Sequence, residues 1–216
     1  MKIPKLYIST AGWFYNDWVP NFYSKRQSKN FDWLEFYSQY FNAVEVNSTY
    51  YTYVSRETVE GWLKKTESND DFLFTIKLHQ DFTHKHFYTI DQIKAVKHNL
   101  DILKSSGKLG GLLFQFPYSF YFNNVNVDYL QRLIETFEEY NKFIEVRHKS
   151  WQNKNAKSVT FCTIDQPQIG ETIKFNPIVG NKMMYIRFHG SNTKAWKKSL
   201  NDFGKKQTFE ARSSRY

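Results

Sequence analysis

Apolar residues in this chain fall into short runs that close on a polar or charged side chain. The strings "AVEVNSTYY" (43–51), "FLFTIKLHQDFTH" (72–84), "LLFQFP" (112–117), "FIEVRHKSW" (143–151), "TFCTIDQP" (160–167) and "MYIRFHGSN" (184–192) each read as a buried strand followed by its loop. With "LYIS" (6–9) they predict seven strands, near 6–9, 43–47, 73–77, 112–116, 143–147, 159–164 and 184–188. Between them the apolar spacing changes to three and four residues, the mark of a helix face. Leu34, Tyr37 and Phe41 define such a face over 31–41, and Ser55 caps a helix over 57–65. Ile93, Val96, Leu100 and Leu103 define a third over 91–104, stopped at Gly107. Asn126 is expected to cap a fourth, carrying Leu130, Leu133, Ile134 and Phe137 inward. Strand and helix alternate through five units, which calls for a parallel sheet with right-handed crossovers. The expected fold is α/β, a TIM (β/α) barrel with its site at the carboxyl ends of the strands.

No repeat or linker divides the chain, so residues 1–216 are expected to form a single domain. Two places depart from a regular barrel. Only 151–158 separate the fifth and sixth predicted strands, whereas a parallel crossover usually takes a dozen or more residues. No eighth unit precedes Tyr216. Segments are therefore expected to be missing near 151–158 and after 216, with a break in the chain between Trp151 and Ser158.

Side chains alternate across a strand, so Glu45 and Asn47 face one way, as do Glu145 and Arg147, and Arg187 and His189. The residues between them (Val46, Val146, Phe188) are apolar and suit contact with outer helices. The polar partners then point inward, where Lys77, Gln115 and Asp165 end their own strands. Buried charges must pair, because an isolated one costs several kcal/mol. The ring is therefore either a structural ion-pair network or a site, since carboxylates beside Arg and His also build acid–base and phosphate-binding centres. As a site, Glu45, Glu145, Asp165 and His189 are the candidate catalytic residues. Asn47, Lys77, Gln115, Arg147 and Arg187 are the candidate substrate ligands. Trp13, Tyr51 and Trp151 are candidate stacking rings, within a group that includes Trp18, Tyr50 and Tyr118; packing of loops over a barrel mouth is the other reading of such rings.

Glu45, Glu145, Asp165 and His189 are also the donors a divalent metal would use. Arg147, Arg187 and Lys77 already balance those carboxylates, and no HExxH or paired-cysteine motif is present. No cofactor is therefore expected, with a divalent metal (Mg, Mn or Zn) at these residues as the less favoured alternative. "GKLGG" (107–111) lacks the Lys-Ser/Thr of a P-loop, and no Gly-x-Ser-x-Gly elbow occurs. His79, His84 and His86 follow the third strand at a spacing loose for a metal.

Net charge is +9, which favours anionic partners, although the lysines are scattered rather than arranged in a basic stripe. Aromatic content is 19%, more than a core alone needs. Cys162 is the only cysteine, so no internal disulfide forms. No signal peptide or membrane-length apolar run is seen, and a cytoplasmic location with no membrane partner is expected. The sequence says nothing of oligomeric state.

The strings "AGWFYNDW", "VEVNSTYY", "RETVEGW", "FTIKLHQDFTH", "GGLLFQFPYSF", "EVRHKSW", "DQP" and "YIRFHGSN" occur in the order found in the YecE-like family, domain of unknown function 72, which the chain resembles from about Tyr7 to Asn192. The resemblance implies a TIM barrel without an assigned activity. Its recurring polar positions fall on Glu45, Asn47, Lys77, His84, Gln115, Glu145, Arg147, His148, Trp151, Asp165, Arg187 and His189. This chain departs from the pattern at Lys149, where Pro is usual, and in lacking the helix after Trp151, the last helix and the eighth strand. Two functions are open. One is a small-molecule enzyme, a hydrolase or lyase acting on a polar or phosphorylated anionic substrate. The other is a nucleic-acid-binding protein or phosphodiesterase.

Overall fold

The computed structural model describes residues 4–152, 154, 159–177, 179, 183–190 and 193. Along them run α1 (Trp33–Ser38), β1 (Ala43–Val46), α2 (Arg56–Lys65), β2 (Leu73–Lys77), α3 (Ile90–Ser105), β3 (Leu109–Gln115), α4 (Asn124–Thr136), β4 (Lys142–Glu145), β5 (Thr160–Phe161), β6 (Thr163–Asp165) and β7 (Ile186–Phe188). β1 to β5 pair in chain order, all parallel, and β6 pairs in parallel with β7. The result is an α/β fold with a parallel sheet.

Strand alternation sorts the core into two layers. Val44, Val46, Phe74, Ile76, Leu112, Phe114, Ile144 and Val146 pack with Val59 and Trp62 of α2, Leu100 and Leu103 of α3, and Leu130, Leu133 and Ile134 of α4. A smaller cluster on the other face holds Leu113, Phe143, Cys162 and Ile164, with Tyr185 packed against it. Gly111 makes room for that layer. A Cβ there would lie 2.6 Å from Cε2 of Phe143 and 2.9 Å from the Asn141 carbonyl. Phe143 in turn stacks on Tyr185, with ring centroids 4.3 Å apart. Two lysines close helix ends from below. Lys142 Nζ donates to the carbonyls of Phe137, Glu138 and Tyr140 at 3.0, 3.2 and 2.8 Å. Lys108 Nζ donates to those of Thr66 and Asn69, both at 2.7 Å. These bonds satisfy carbonyls that a helix terminus leaves over.

Several expectations are corrected. Residues 6–9 form no strand, because the Asn42 side chain takes their backbone groups. Its Oδ1 accepts from Ile8 N at 2.8 Å, and its Nδ2 donates to Leu6 O at 2.9 Å. What remains is a single parallel bridge from Ala11 to Glu45. The predicted sixth strand divides at Cys162 into β5 and β6, where the chain changes partners: Cys162 N donates to Ile144 O of β4, and Thr163 N to Tyr185 O before β7. The described ladders fall into a five-stranded parallel sheet and the β6–β7 pair, and among the described residues none joins β7 to β1 as the expected barrel would require. The first helix is only six residues long, opened by Asp32, whose carboxylate accepts from Leu34 N and Glu35 N. α4 is capped by Asn123 rather than Asn126. Asn123 Oδ1 accepts from Asn126 N at 2.8 Å, while the Asn126 amide turns to Tyr121 O. Ser55 caps α2 as expected. The expected break between Trp151 and Ser158 lies largely outside the described residues, as do Asn192 and residues 194–216. No described helix is long and apolar enough to cross a membrane.

Candidate functional site

Because Val44 and Val46 face the helices, Glu45 between them faces the other way, and it is 4% exposed. The same alternation turns Glu145 inward at the end of β4, where it is 0% exposed. Arg187, in the middle of β7, joins the two. Its Nη2 and Nε donate to Oε1 and Oε2 of Glu45 at 2.6 and 2.9 Å, a two-pronged contact. Its Nη1 donates to Glu145 Oε2 and, at 3.3 Å, to Gln115 Oε1 at the end of β3. Side chains from β1, β3, β4 and β7 thus meet on one guanidinium. The sheet must curl to allow this, although its edges do not pair among the described residues.

The rest of the cluster completes the valences of the carboxylates. Tyr185 donates to Glu45 Oε2 at 2.9 Å, and Arg147 Nε donates to Glu145 Oε1 at 2.8 Å. His189 Nε2 lies 3.5 Å from Glu145 Oε1 and 3.4 Å from Arg187 Nη1. Burial alone would raise the Glu145 pKa, but Arg187, His189 and Arg147 together hold it well below the ordinary carboxylate range. Arg187 is correspondingly held in its charged form by Glu145 and Glu45. Burial pushes the Tyr185 hydroxyl up, with the Glu45 charge adding to it, so it remains a donor.

Lys77 ends β2 beside this cluster. Burial pushes its pKa down to about 8, and the Arg187 and Arg147 charges add to that against the pull of Glu145 and Glu45. Its Nζ sits 4.3 Å from the centre of the Tyr50 ring. His84 packs edge-on against the same ring at 5.0 Å and bonds Thr83 Oγ1 through Nδ1 at 3.0 Å. Burial, then Lys77 and Arg147, push His84 down to about 4, so it is neutral at pH 7.

Glu45, Gln115, Glu145, Arg147, Arg187 and His189 therefore meet, with Lys77 electrostatically coupled to them. Other expected site residues are placed differently. Asp165 ends β6, and its carbonyl accepts from His189 N at 2.8 Å, but its carboxylate enters no ion pair among the described residues. Asn47 follows β1, and its Oδ1 is buried without a hydrogen-bond partner among the described residues. Tyr51 is a rim residue, 67% exposed, with its ring edge on Tyr50. Trp151 belongs to the core: it stacks on Phe120 at 5.5 Å and donates Nε1–H to Phe120 O at 2.7 Å. Trp13 packs edge-on against Trp62 of α2. Neither indole takes part in the charged cluster. No three His, Cys, Asp or Glu side chains come together as metal ligands among the described residues.

A family model described as protein of unknown function DUF72 matches residues 7–214. The chain belongs to the DUF72 family. This DUF72 chain is 28% identical over 212 residues to the UPF0759 protein YunF of Bacillus subtilis (strain 168), covering 89% of this chain and 73% of that protein. It resembles the crystal structure of a DUF72 family protein from Thermotoga maritima MSB8 at a TM-score of 0.72 and 29% identity, over 87% of this chain and 75% of that one. A DUF72 family protein from Enterococcus faecalis V583 gives a TM-score of 0.67 at 28% identity, over 76% and 72% of the two chains. None of these names states a reaction.

One contributor to the DUF72 cluster, Tyr185, was missed in the sequence. Tyr185 shares the parity of Arg187 and His189, so a full reading of that strand would have found it. Tyr50 was named among the rings near the strand ends, but its contact with Lys77 was not foreseen, because it sits on a short 3-10 turn (Ser48–Tyr50) whose direction local pattern does not set.

Proposed function

We propose that this DUF72 chain binds, and acts as a hydrolase or lyase on, a small polar anion at the carboxyl ends of its strands, within a single-domain, cytoplasmic (β/α) barrel. The charge balance of the cluster carries this reading. Two carboxylates, Glu45 and Glu145, face two guanidiniums, Arg187 and Arg147, and Lys77 is left as the surplus cation. A mostly buried positive site recruits a carboxylate or phosphate. In this reading Glu45 and Glu145 hold Arg187 in place, since the Glu145 carboxyl is held too acidic to carry a proton near neutral pH. Arg147 and Lys77 face the ligand anion. His189 is the remaining group for proton transfer. Asn47, with its unpartnered oxygen, and Gln115 receive polar groups of the ligand.

The exposed rings Tyr51, Tyr118 and Tyr121 favour a second reading, in which bases or sugars stack at the rim of a nucleic-acid-binding protein or phosphodiesterase. Thermal melting with inorganic phosphate and with a short single-stranded oligonucleotide, each at low and high salt, separates the two. Phosphate at a hundredfold excess over its Kd should add about 2.7 kcal/mol of stability. That gain should survive high salt, whereas an oligonucleotide response would collapse. Lys77→Arg should keep the phosphate response and Lys77→Met should weaken it at least tenfold. A full response in Lys77→Met would sink the anion reading.

A further inference from the structure

Two other lysines of this chain set below the surface are held by backbone carbonyls. Lys142 has three carbonyls and Lys108 has two. Lys77 is different. Among the described residues its Nζ has no hydrogen bond and no ion pair, and it lies over the face of Tyr50 at 4.3 Å. Ile76, its neighbour in β2, lies in the helix-facing core, so alternation aims Lys77 into the polar interior. A mostly buried amine without acceptors is held in place by packing alone, with its lone pair uncommitted once the proton leaves.

We propose that Lys77 is a nucleophilic amine that condenses with an aldehyde or ketone bearing a carboxylate or phosphate. This rests on the anion site described above and adds the reacting group to it. The neutral Nζ lone pair forms a bond to the carbonyl carbon as the C=O π pair moves to oxygen. The extra proton on nitrogen passes to that oxygen through solvent or His189, giving a carbinolamine. The nitrogen lone pair then forms a C=N double bond as the C–O bond breaks and the oxygen, taking one further proton, leaves as water. The balance is amine, carbonyl and one proton in, iminium and water out. The iminium accepts the electron pair released when a bond to the neighbouring carbon breaks, which is lyase chemistry. Hydrolysis of the imine returns the amine.

The surroundings suit each part of the step. Arg147 and Arg187 lower the ammonium's hold on its proton and supply charge for the anionic substituent, while Glu45 and Glu145, engaged with these arginines, oppose them only in part. Tyr50 acts in the opposite sense, because an aromatic face favours the ammonium. Its hydroxyl is itself pushed up to about 12 by burial and stays a donor. His84 is neutral and adds no charge at pH 7.

The test is reduction with borohydride in the presence of glyoxylate, an anionic aldehyde, and acetaldehyde, a neutral one, followed by peptide mass mapping of the intact folded chain. Lys77 should carry the glyoxylate adduct at least about tenfold faster than the exposed lysines at pH 8, where ordinary lysines are about one in 250 neutral. Glyoxylate should label it faster than acetaldehyde, and added inorganic phosphate should slow glyoxylate only. Lys77→Arg should lose the adduct at position 77 while the exposed lysines keep theirs. Adducts spread over the lysines according to exposure would overturn the proposal. If phosphate raises the melting temperature but Lys77 stays unlabelled, the lysine chemistry fails and the anion site stands. If both aldehydes label Lys77 equally, the proposed substrate class and the anion site beneath it fail together.

Discussion

Arg187 is the residue on which the interior turns. It meets Glu45, Gln115, Glu145 and His189, contributed by four different strands or their ends. Removing one side of such a buried pair leaves an uncompensated charge, so Glu145→Gln should destabilise by about 3–5 kcal/mol in urea unfolding. Lys77 shows the opposite sign. Its folded pKa of about 8 lies below the ordinary 10.5, so the folded state holds its proton less tightly than the unfolded chain does. Below pH 8 both states are protonated and folding bears the whole cost. Between about 8 and 10.5 the folded form has lost its proton and the unfolded form has not, so stability rises with pH. Lys77→Met should therefore be more stable than the parent at pH 7, by about 2–3 kcal/mol. Chemical unfolding at pH 7 and 10.5 should show that advantage shrink towards zero. An advantage that is constant with pH would mean that the amine carries no electrostatic cost.

At the scale of elements, local bonds decide where helices begin. The Asn123 carboxamide takes the Asn126 N–H, and the chain enters α4 three residues earlier than the apolar spacing suggests. Asn123→Ala should cost about 1 kcal/mol, as loss of an N-cap does. Asn126→Ala removes only an exposed bond to Tyr121 O and should cost a few tenths of that by thermal melting. Equal effects would mean that the cap is shared. Strand identity is set less locally. Residues 6–9 have strand-like composition, but Asn42 intercepts their amide and carbonyl, so no ladder forms and Leu6 and Ile8 are exposed at 73% and 57%. Thr160 to Asp165 reads as one strand, yet it splits where its hydrogen bonds pass from β4 to β7.

For the whole molecule, the net charge of +9 is spread over a surface whose ion pairs are mostly exposed, as in Lys5–Asp71 and Arg56–Glu60. Exposed pairs of this kind contribute at most about 1 kcal/mol each, whereas self-repulsion acts over the whole surface and is screened by salt. Raising sodium chloride from low concentration to about 0.5 M should therefore raise the melting temperature. The Glu45–Arg187–Glu145 cluster should change little, because buried pairs are screened by salt much less than exposed ones. A steady fall with salt would show that surface pairs dominate.

Facing direction was legible from sequence alone. In a strand, successive side chains point to opposite sides whatever the strand packs against, so Val46 and Val146 could be assigned to the helices and Glu45 and Glu145 to the interior before any fold was known. The Ser55 cap and the order of strands and helices were readable for the same reason, since both depend on neighbours within a few residues. Which charges meet was not readable. Arg187 and Glu45 are 142 residues apart, and only the curl of the sheet brings the guanidinium across to β1. That curl also decides that Lys77 is the cation left over, that Tyr185 joins Glu45, and that Trp151 lies under Phe120 rather than at the rim. Periodicity is a property of the backbone of each segment. Pairing is a property of distances between segments, and those exist only once the core has packed.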